Sequence, residues 1–433
     1  MSQTQALPQN PSPVSVITPP LVISQTPAQV QAQGVIVAIL AAITVSHLFN
    51  DTMQSVFISM YPSLSHAYHL TLGEIGLIGL TYQLTASILQ PVVGFVTDRR
   101  PMPYSLACGM GCTLIGLLLL SGSTTLPLLM ASSALVGLGS SVFHPEASRV
   151  ARMSSGGRHG LAQSVFQVGG NTGTAFGPLL VASVILPRGL SSVGWFSLIA
   201  LTGMLVLIYV GRWYSQHRRP KPGAGPAKAV TATPLSAQQT GWAMAVLGIL
   251  VFSKYVYLAS LTNYYMFYLS DKFGVTNQHA LYFFFAFLFS AAVGTILGGP
   301  IGDRYGRKLV IWFSILGVAP FTLALPYVDL YWTGILTCII GLILSSAFSA
   351  ILVFAQELVP GRVGMISGLF FGFAFGVAGI AAAALGKLAE MKGLPMVYWL
   401  VSFFPLIGIV TIFLPGLSQR APVPVVAGAA SGR

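Results

Sequence analysis

Long apolar runs, separated by short polar or basic segments, recur along the chain from residue 35 to residue 415. A helix needs about 20 mostly apolar residues to cross the ~30 Å hydrocarbon core of a bilayer, and each run is long enough. The pattern therefore predicts twelve membrane-spanning helices. Their predicted ranges are 35–62, 72–97, 103–122, 125–149, 160–187, 192–211, 242–270, 278–301, 308–326, 331–358, 363–388 and 395–415.

The two halves of this pattern resemble each other. The segment GFVTDRR (Gly94–Arg100) ends the second predicted helix, and GPIGDRYGRK (Gly299–Lys308) ends the eighth. Rows of glycines at four-residue spacing recur in the fifth and eleventh helices, where they allow close helix contact in lipid. The repeat predicts two six-helix bundles joined by a polar, Pro-rich linker. The predicted domains are a disordered tail at 1–33, a bundle at 34–211, a linker at 212–240, a bundle at 241–417 and a tail at 418–433.

Composition and charge agree with a membrane protein. Only 7% of the residues are charged, whereas soluble domains carry about 25%. The basic residues are scattered in short clusters between apolar runs and form no single face, so nucleic acid is not an expected partner. Most of these clusters lie on one side of the predicted helices, so the positive-inside rule predicts that both termini are cytoplasmic.

The motifs of several other protein classes are absent from the sequence. Cys108, Cys112 and Cys338 lie in apolar segments without paired spacing, so we expect inert thiols and neither a metal site nor a cofactor. The sequence contains no phosphate-binding loop of an ATP-driven pump and no H-E-x-x-H motif of a metalloenzyme. We therefore expect that the protein is not an enzyme and has no catalytic residues.

One predicted helix carries an unusual polar segment, SHLFNDTMQSVF (Ser46–Phe57). With about 1.5 Å of rise per residue from Val35, His47 lies about 18 Å and Asp51 about 24 Å into the membrane. The two residues are four apart and share one helix face, which must avoid lipid because an ionised carboxylate there costs several kcal/mol. We hypothesise that Asp51 carries a coupled proton with His47 as its partner. The alternative is a structural cluster that holds helices together.

Lys254 is the only basic residue deep inside a predicted span. It follows His47 by 254 − 47 = 207 residues, so the repeat places it near the equivalent position of the second half. Its partner is either Asp51 or an anionic substrate, which a lysine binds as a point charge. The two partners could also alternate, with the substrate displacing Asp51 from Lys254 and the freed Asp51 taking up a proton. Further candidate substrate-binding residues in the spans, each of which could instead be a packing residue, are Asn50, Gln54, Gln83, Asn171, Tyr255 and Asn263.

Charged residues at the basic ends of the helices predict a cytoplasmic gate. An aspartate at a helix end can accept N–H bonds from a neighbouring helix terminus, and its arginine can pair with a carboxylate of the fourth or tenth helix. The alternative places HPEASR (His144–Arg149) on the proton path. The predicted gate residues are Asp98, Arg99, Glu146, Arg149, Asp303, Arg304, Arg307 and Glu357.

GPIGDRYGRK resembles the signature G-x-x-x-D-R-x-G-R-[KR] of the major facilitator superfamily, and GFVTDRR resembles a truncated copy. The fourth-helix motif departs from the proton-driven members, because Ser133 and Val136 replace an arginine and a glutamine. The fifth helix keeps part of the antiporter motif, GTAFGP (Gly173–Pro178). The resemblance implies an all-α integral membrane fold of twelve helices in two pseudo-symmetric six-helix bundles.

Within this superfamily, the segments SHLFNDTMQS, GSSVFHPEASRVARM and GGRHGLAQSVFQVGGN resemble bacterial drug efflux transporters of the inner membrane. That resemblance implies drug/proton antiport by alternating access, with anionic phosphonates among the possible substrates. It implies a small-molecule substrate, protons and the lipid bilayer as partners, and a functional monomer. A proton-coupled importer of a small metabolite is the alternative, because the same fold and residues serve both directions.

Overall fold

The computed structural model describes residues 35–70, 72–217 and 235–416. The predicted tails at 1–33 and 418–433, and residues 218–234 of the predicted linker, lie outside the described residues. Within them the protein is helical and contains no β-strand. The prediction of an all-helical membrane protein is confirmed, while the predicted domain boundaries stay predictions.

Eleven of the described helices are long and apolar enough to cross a membrane by length and composition. We add Val37–Ser59, which falls short of that hydropathy because of its central polar residues, and number the twelve α1–α12. In order they are Val37–Ser59, Glu74–Arg99, Ser105–Gly122, Leu126–Met153, His159–Arg188, Leu190–His217, Ala237–Phe273, Tyr282–Tyr305, Arg307–Tyr327, Leu330–Leu358, Val363–Lys392 and Leu394–Phe413.

Several helices extend beyond the ranges that the apolar pattern predicts. Helix α6 continues to His217 and α7 begins at Ala237, so both reach into the predicted linker. The side chains of Ser236 and Gln239 each bond the other residue's backbone N–H and so cap the start of α7. Apolar length reflects the thickness of the bilayer, whereas such polar caps decide where a helix begins.

The polar face of α1 is covered by α5. A Cβ at Gly169 would overlap the backbone carbonyl of Thr44, and one at Gly173 would overlap that of Leu48. These glycines therefore let the two helix backbones approach closely along several turns. The contact places the central polar residues of α1 inside the first half of the molecule.

The two halves of the molecule meet mainly where α2 packs on α11 and α5 packs on α8. At the basic end of the molecule, where Arg99, Arg149, Arg304 and Arg307 lie, the α2–α11 contact is backbone to backbone. A Cβ at Gly94 would overlap the carbonyl of Gly364. Toward the opposite end the contact loosens, because a Cβ at Gly379 of α11 would come no closer than 3.7 Å to α2, at the side chain of Gln83. The halves are therefore closed together at the basic end.

We expect the Gly94→Ala substitution to weaken this closure. The added methyl group must push α2 away from α11, and overpacking of this kind costs about 1–3 kcal/mol. Electron paramagnetic resonance between spin labels at Met102 and Arg362, introduced in a cysteine-free background, would show a shift toward longer distances. The control is Gly76→Ala on the same helix, where a Cβ meets nothing within 4 Å. An unchanged distance distribution in Gly94→Ala would contradict the expectation.

Candidate functional site

The carboxyl group of Asp51 lies between two buried imidazoles. Its Oδ2 is 3.3 Å from Nε2 of His47 on the same helix, and its Oδ1 is 3.5 Å from Nε2 of His144 on α4. Both histidine side chains are fully buried, while that of Asp51 is 12% exposed. We call Asp51, His47 and His144 the Asp51 cluster. The structure thus brings the predicted pair together and adds a second imidazole.

Each histidine uses its other ring nitrogen, Nδ1, as an N–H donor to a backbone carbonyl oxygen. Nδ1 of His47 is 2.7 Å from the carbonyl oxygen of Phe166, and Nδ1 of His144 is 3.1 Å from that of Ser140. A carbonyl oxygen only accepts hydrogen bonds, so each Nδ1 carries the hydrogen and each neutral ring has its lone pair on Nε2. Both lone pairs then face the carboxyl of Asp51. With an ionised carboxylate, Oδ2 of Asp51 and the two Nε2 atoms are all acceptors, so a proton bound among them would relieve their mutual repulsion.

Two amides fix the orientation of this carboxyl. Nδ2 of Asn50 donates to Oδ1 of Asp51 at 2.9 Å, and Nε2 of Gln54 donates to the same oxygen at 3.3 Å. The amide of Gln54 is itself oriented, because its oxygen accepts hydrogen bonds from Tyr82 and Ser140. Asn50 and Gln54, which were predicted to bind substrate, therefore bind the carboxyl of Asp51 in this conformation.

Helix α5 covers the cluster with the aromatic ring of Phe166 and leaves space for it at Gly170. The ring of Phe166 stacks on that of His47 with 4.0 Å between centroids. Next to them, a Cβ at Gly170 would lie 2.5 Å from Cε1 of His47 and 2.7 Å from Oδ2 of Asp51. Only glycine leaves room for the His47–Asp51 pair at this position. The glycine spacing in the sequence pointed to Gly169 and Gly173, so Gly170 was not identified.

The donor atoms of the Asp51 cluster lie within 4.8 Å of one another, a separation that a transition-metal ion could bridge. No metal site was expected from the sequence. Two amide N–H groups, from Asn50 and Gln54, point at Oδ1 of Asp51 and would compete with a cation for that oxygen.

The ammonium group of Lys254 lies in an aromatic environment of the second half. It is 5.6 Å from the ring centroids of both Tyr255 and Phe348, and the residue is only 3% exposed. Within the described residues, no carboxylate oxygen lies within 4 Å of this ammonium. A direct Lys254–Asp51 ion pair, one of the two predicted alternatives, is therefore not formed in this conformation.

Aromatic rings connect these two groups. The ring of His144 contacts those of Phe371 and Phe375 on α11, with centroid distances of 5.0 and 5.1 Å. Phe371 in turn contacts Phe348 at 5.1 Å. We call Phe348 and Phe371 the aromatic bridge. The bridge links the Asp51 cluster of the first half to Lys254 of the second.

Three other predicted substrate residues make hydrogen bonds elsewhere. Gln83 donates to Ser87 one turn along α2 at 2.7 Å, and the exposed Asn263 donates to the carbonyl of Ala259. Asn171 donates to Thr295 at 3.4 Å and so connects α5 to α8. These bonds tie each amide to its own helix or a neighbouring one.

Two aspartates at the basic end cap helices of the opposite half. Asp98 accepts the backbone N–H groups of Gly364 and Met365, at 3.0 and 2.8 Å, at the start of α11. Asp303 accepts those of Gly160 and Leu161, at 3.0 and 2.9 Å, at the start of α5. A negative charge stabilises a helix N-terminus, so each aspartate holds the two halves together.

The arginines that pair with these aspartates are Arg149 and Arg307. Arg149 is 2.6 Å from Asp98 and 3.1 Å from Glu146. Arg307 is 3.1 Å from Asp303 and 3.0 Å from Glu357. Six of the eight predicted gate residues are thus brought together in two groups.

Arg99 and Arg304 differ from the sequence-based expectation. Arg99 lies over the ring of Phe95 at 3.9 Å, and Arg304 lies over that of Tyr305 at 5.3 Å. Each arginine directly follows its aspartate, and adjacent residues on a helix do not face each other. Their positions therefore correct the expectation that these arginines pair with carboxylates of the fourth and tenth helices.

His144 is a site residue that the sequence indicated only as part of the HPEASR motif. The predicted end of the fourth helix at residue 149 placed that motif near the membrane surface. Helix α4 continues to Met153, so His144 lies nine residues from its end, or about 13.5 Å. A usable signal was the four-residue spacing of Ser140, His144 and Ser148, which puts these polar side chains on one face.

Comparisons with known proteins agree with this architecture. A family model described as Major Facilitator Superfamily matches residues 43–383 and 249–431. The fosmidomycin resistance protein of Escherichia coli (strain K12) is 57% identical over 378 residues, which cover 87% of this chain and 92% of the relative. YfnC of Bacillus subtilis (strain 168), described as an uncharacterized MFS-type transporter, is 38% identical over the same shares.

A solved structure shares the fold. The transporter FucP, crystallised in the outward conformation, superposes with a TM-score of 0.69. Its sequence identity to this chain is 14%, and the match covers 87% of this chain and 99% of FucP.

We expect the Gly170→Ala substitution to disrupt the Asp51 cluster. The added methyl group would displace the His47 ring or the Asp51 carboxyl, at a cost of about 1–3 kcal/mol for overpacking. Thermal unfolding in detergent, followed by circular dichroism, would show a lower Tm than for the unsubstituted protein. The control is Gly376→Ala, where the Cβ has open space. Equal Tm values for the two variants would count against the geometry of this cluster.

Proposed function

Because the chain belongs to the major facilitator superfamily of secondary transporters, we propose that it exports small molecules in exchange for protons that enter the cell. The observation that carries this proposal is the Asp51 cluster, a buried carboxyl faced by the Nε2 atoms of two imidazoles. Ionisable residues deep in a membrane protein usually serve transport, because placing them there is costly. Export, and not import, is supported by the 57% identical relative whose name refers to drug resistance.

In this proposal the protein lies in the bacterial inner membrane with both termini in the cytoplasm. The basic end then faces the cytoplasm, as the positive-inside rule requires. The tight contacts of α2 with α11 and α5 with α8 close that side, so the conformation is outward-facing. A single chain contains both the Asp51 cluster and Lys254, which supports function as a monomer.

Asp51 is the proposed proton carrier, with His47 and His144 as its partners. Loss of the last proton leaves only acceptor atoms between the carboxylate and the two Nε2 atoms, so the cluster binds a proton readily from the outside. When the cytoplasmic side opens, water reaches the cluster and the proton leaves. A pH difference of one unit and a membrane potential of 100 mV together supply about 3.7 kcal/mol for each proton that enters the cell.

The proposed substrates are small anions, with phosphonates such as fosmidomycin among them. Lys254 is a buried cation without a carboxylate within 4 Å in the described part of the chain. Burying an unpaired charge is costly, so such a group is expected to meet a ligand of opposite charge. A phosphonate supplies several strong acceptor oxygens for a lysine ammonium.

The proposed cytoplasmic gate consists of the two carboxylate–arginine groups at the basic end. Asp98 and Asp303 each hold the N-terminus of a helix from the other half, and Arg149 and Arg307 hold the aspartates. Opening toward the cytoplasm must break four backbone hydrogen bonds at these two sites. The gate therefore favours the outward-facing conformation until the substrate and proton states change.

We expect Asp51→Asn to abolish proton-coupled transport. Asparagine keeps the shape of the side chain but cannot bind and release a proton. An imposed gradient of one pH unit, which drives roughly tenfold substrate accumulation per exchanged proton, should therefore no longer drive transport. Fosmidomycin flux in proteoliposomes would then no longer respond to the gradient. The control is Asp329→Asn, since Asp329 caps α10 outside the cluster and asparagine also caps helices.

Two outcomes of this flux experiment would contradict the proposal. A pH-gradient response in Asp51→Asn equal to that of the unsubstituted protein would exclude Asp51 as the proton carrier. Movement of fosmidomycin in the same direction as the protons would instead support the alternative, a proton-coupled importer.

We expect Lys254→Gln to weaken fosmidomycin binding by at least about tenfold, because a charge-assisted contact worth more than about 1.4 kcal/mol is lost. Isothermal titration calorimetry on detergent-purified protein measures the dissociation constant. Lys254→Arg keeps the charge and should recover part of the affinity. Lys387→Gln serves as a control, since Lys387 lies on the surface beside Glu390. Unchanged affinity in Lys254→Gln would remove Lys254 from the substrate site.

A further inference from the structure

Within the described residues, a chain of aromatic contacts runs from the proposed proton site to the proposed anion site. Nε2 of His144 lies 3.5 Å from Oδ1 of Asp51, and the ring of the same residue contacts Phe371. Phe371 contacts Phe348, whose ring faces the ammonium of Lys254. The chain of contacts runs from a carboxyl in one half of the molecule to an ammonium in the other.

We propose that Phe371 is the positioning residue through which substrate binding at Lys254 moves the His144 ring away from Asp51 and thereby releases the proton. The inference rests on the proposed function and adds how the two sites communicate. This coupling does not require Asp51 to form an ion pair with Lys254 at any stage.

Cation–π attraction supplies the first step. The Lys254 ammonium lies over the rings of Tyr255 and Phe348 at 5.6 Å, within the range in which a ring face attracts a cation. An anion that binds Lys254 draws the ammonium toward itself and weakens its attraction to the ring of Phe348. The ring is then free to move against Phe371.

Close packing transmits that movement. Phe371 is fully buried and contacts His144, Phe348, Phe375 and Phe166, which come from both halves of the molecule. Protein interiors are close-packed, so a displaced ring displaces its neighbours.

The backbone of α11 cannot easily yield instead. Adjacent to Phe371, Gly372 lies against α2 so closely that a Cβ there would be 2.5 Å from the carbonyl oxygen of Ser87. The displacement of Phe371 is therefore expected to reach the rings beside it, including that of His144 next to Asp51.

The groups that face Asp51 make its proton sensitive to the position of His144. Helix α1 contributes His47, Asn50 and Gln54, and α4 contributes His144. Helix α2 contributes Tyr82, which reaches the carboxyl through Gln54. The two imidazoles are covered by Phe166 and Gly170 of α5 and by Phe371 and Phe375 of α11, which carry no titratable side chain. His144 is therefore the titratable neighbour of Asp51 that the second half contacts.

The test measures protons released when fosmidomycin binds. Isothermal titration calorimetry in two buffers with different ionisation enthalpies gives this number for purified, full-length protein. The unsubstituted protein should release protons on binding, whereas Phe371→Leu and Phe348→Leu should bind fosmidomycin and release far fewer. Coupling between sites typically changes an affinity by about 5- to 150-fold, so the pH dependence of the dissociation constant should shrink by a comparable factor.

The matched control is Phe373→Leu. Phe373 lies two residues from Phe371 on the same helix but points outward and is 41% exposed. On binding fosmidomycin, the Phe373→Leu variant should release as many protons as the unsubstituted protein. A substitution that merely loosens α11 would affect both positions.

Three results would be decisive. Undiminished proton release by a Phe371→Leu or Phe348→Leu variant that binds fosmidomycin would overturn the inference. Loss of fosmidomycin binding in both variants would also overturn it, because the rings would then belong to the binding site. Binding without proton exchange in the unsubstituted protein at every pH would instead refute the proposed function, whatever the role of Phe371.

Discussion

The structure depends on how one carboxyl group is kept inside a protein that is surrounded by lipid. Asp51 is tolerated there because His47, His144, Asn50 and Gln54 all direct polar atoms at it. Each histidine is held in turn by a backbone carbonyl, which fixes the ring and leaves Nε2 facing the carboxyl. Removing any of these partners leaves a buried polar group unsatisfied, which is costly in a low-dielectric interior.

The same constraint explains the helix packing around the site. A polar face on α1 requires a helix that comes close without adding side chains, and the glycines of α5 meet that requirement. The halves then close at the basic end through glycine contacts between α2 and α11. Asp98 and Asp303 add charged caps across the interface. The glycine contacts thus let the helix backbones approach closely. Backbone groups of the same helices then form hydrogen bonds with His47, Asp98 and Asp303.

Much of this architecture could be predicted from local patterns. The apolar runs indicated the helices, the two D-R motifs indicated the pseudo-symmetry, and the four-residue spacing paired His47 with Asp51. The helix ends were less accurate, and the early predicted end of α4 hid the depth of His144. Arg99 and Arg304 were assigned ion pairs because they are adjacent to aspartates in sequence, although adjacent side chains on a helix diverge.

By itself the sequence determined the solvent of this protein, its all-helical membrane-spanning class and the presence of ionisable groups within its apolar helices. These properties follow from composition and from periodicity along a single helix. Tertiary structure alone decided that His144 and Gly170 complete the Asp51 cluster and that aromatic rings separate it from Lys254. Such contacts join residues on different helices, and helix rotation and packing, which no local pattern encodes, decide which side chains meet.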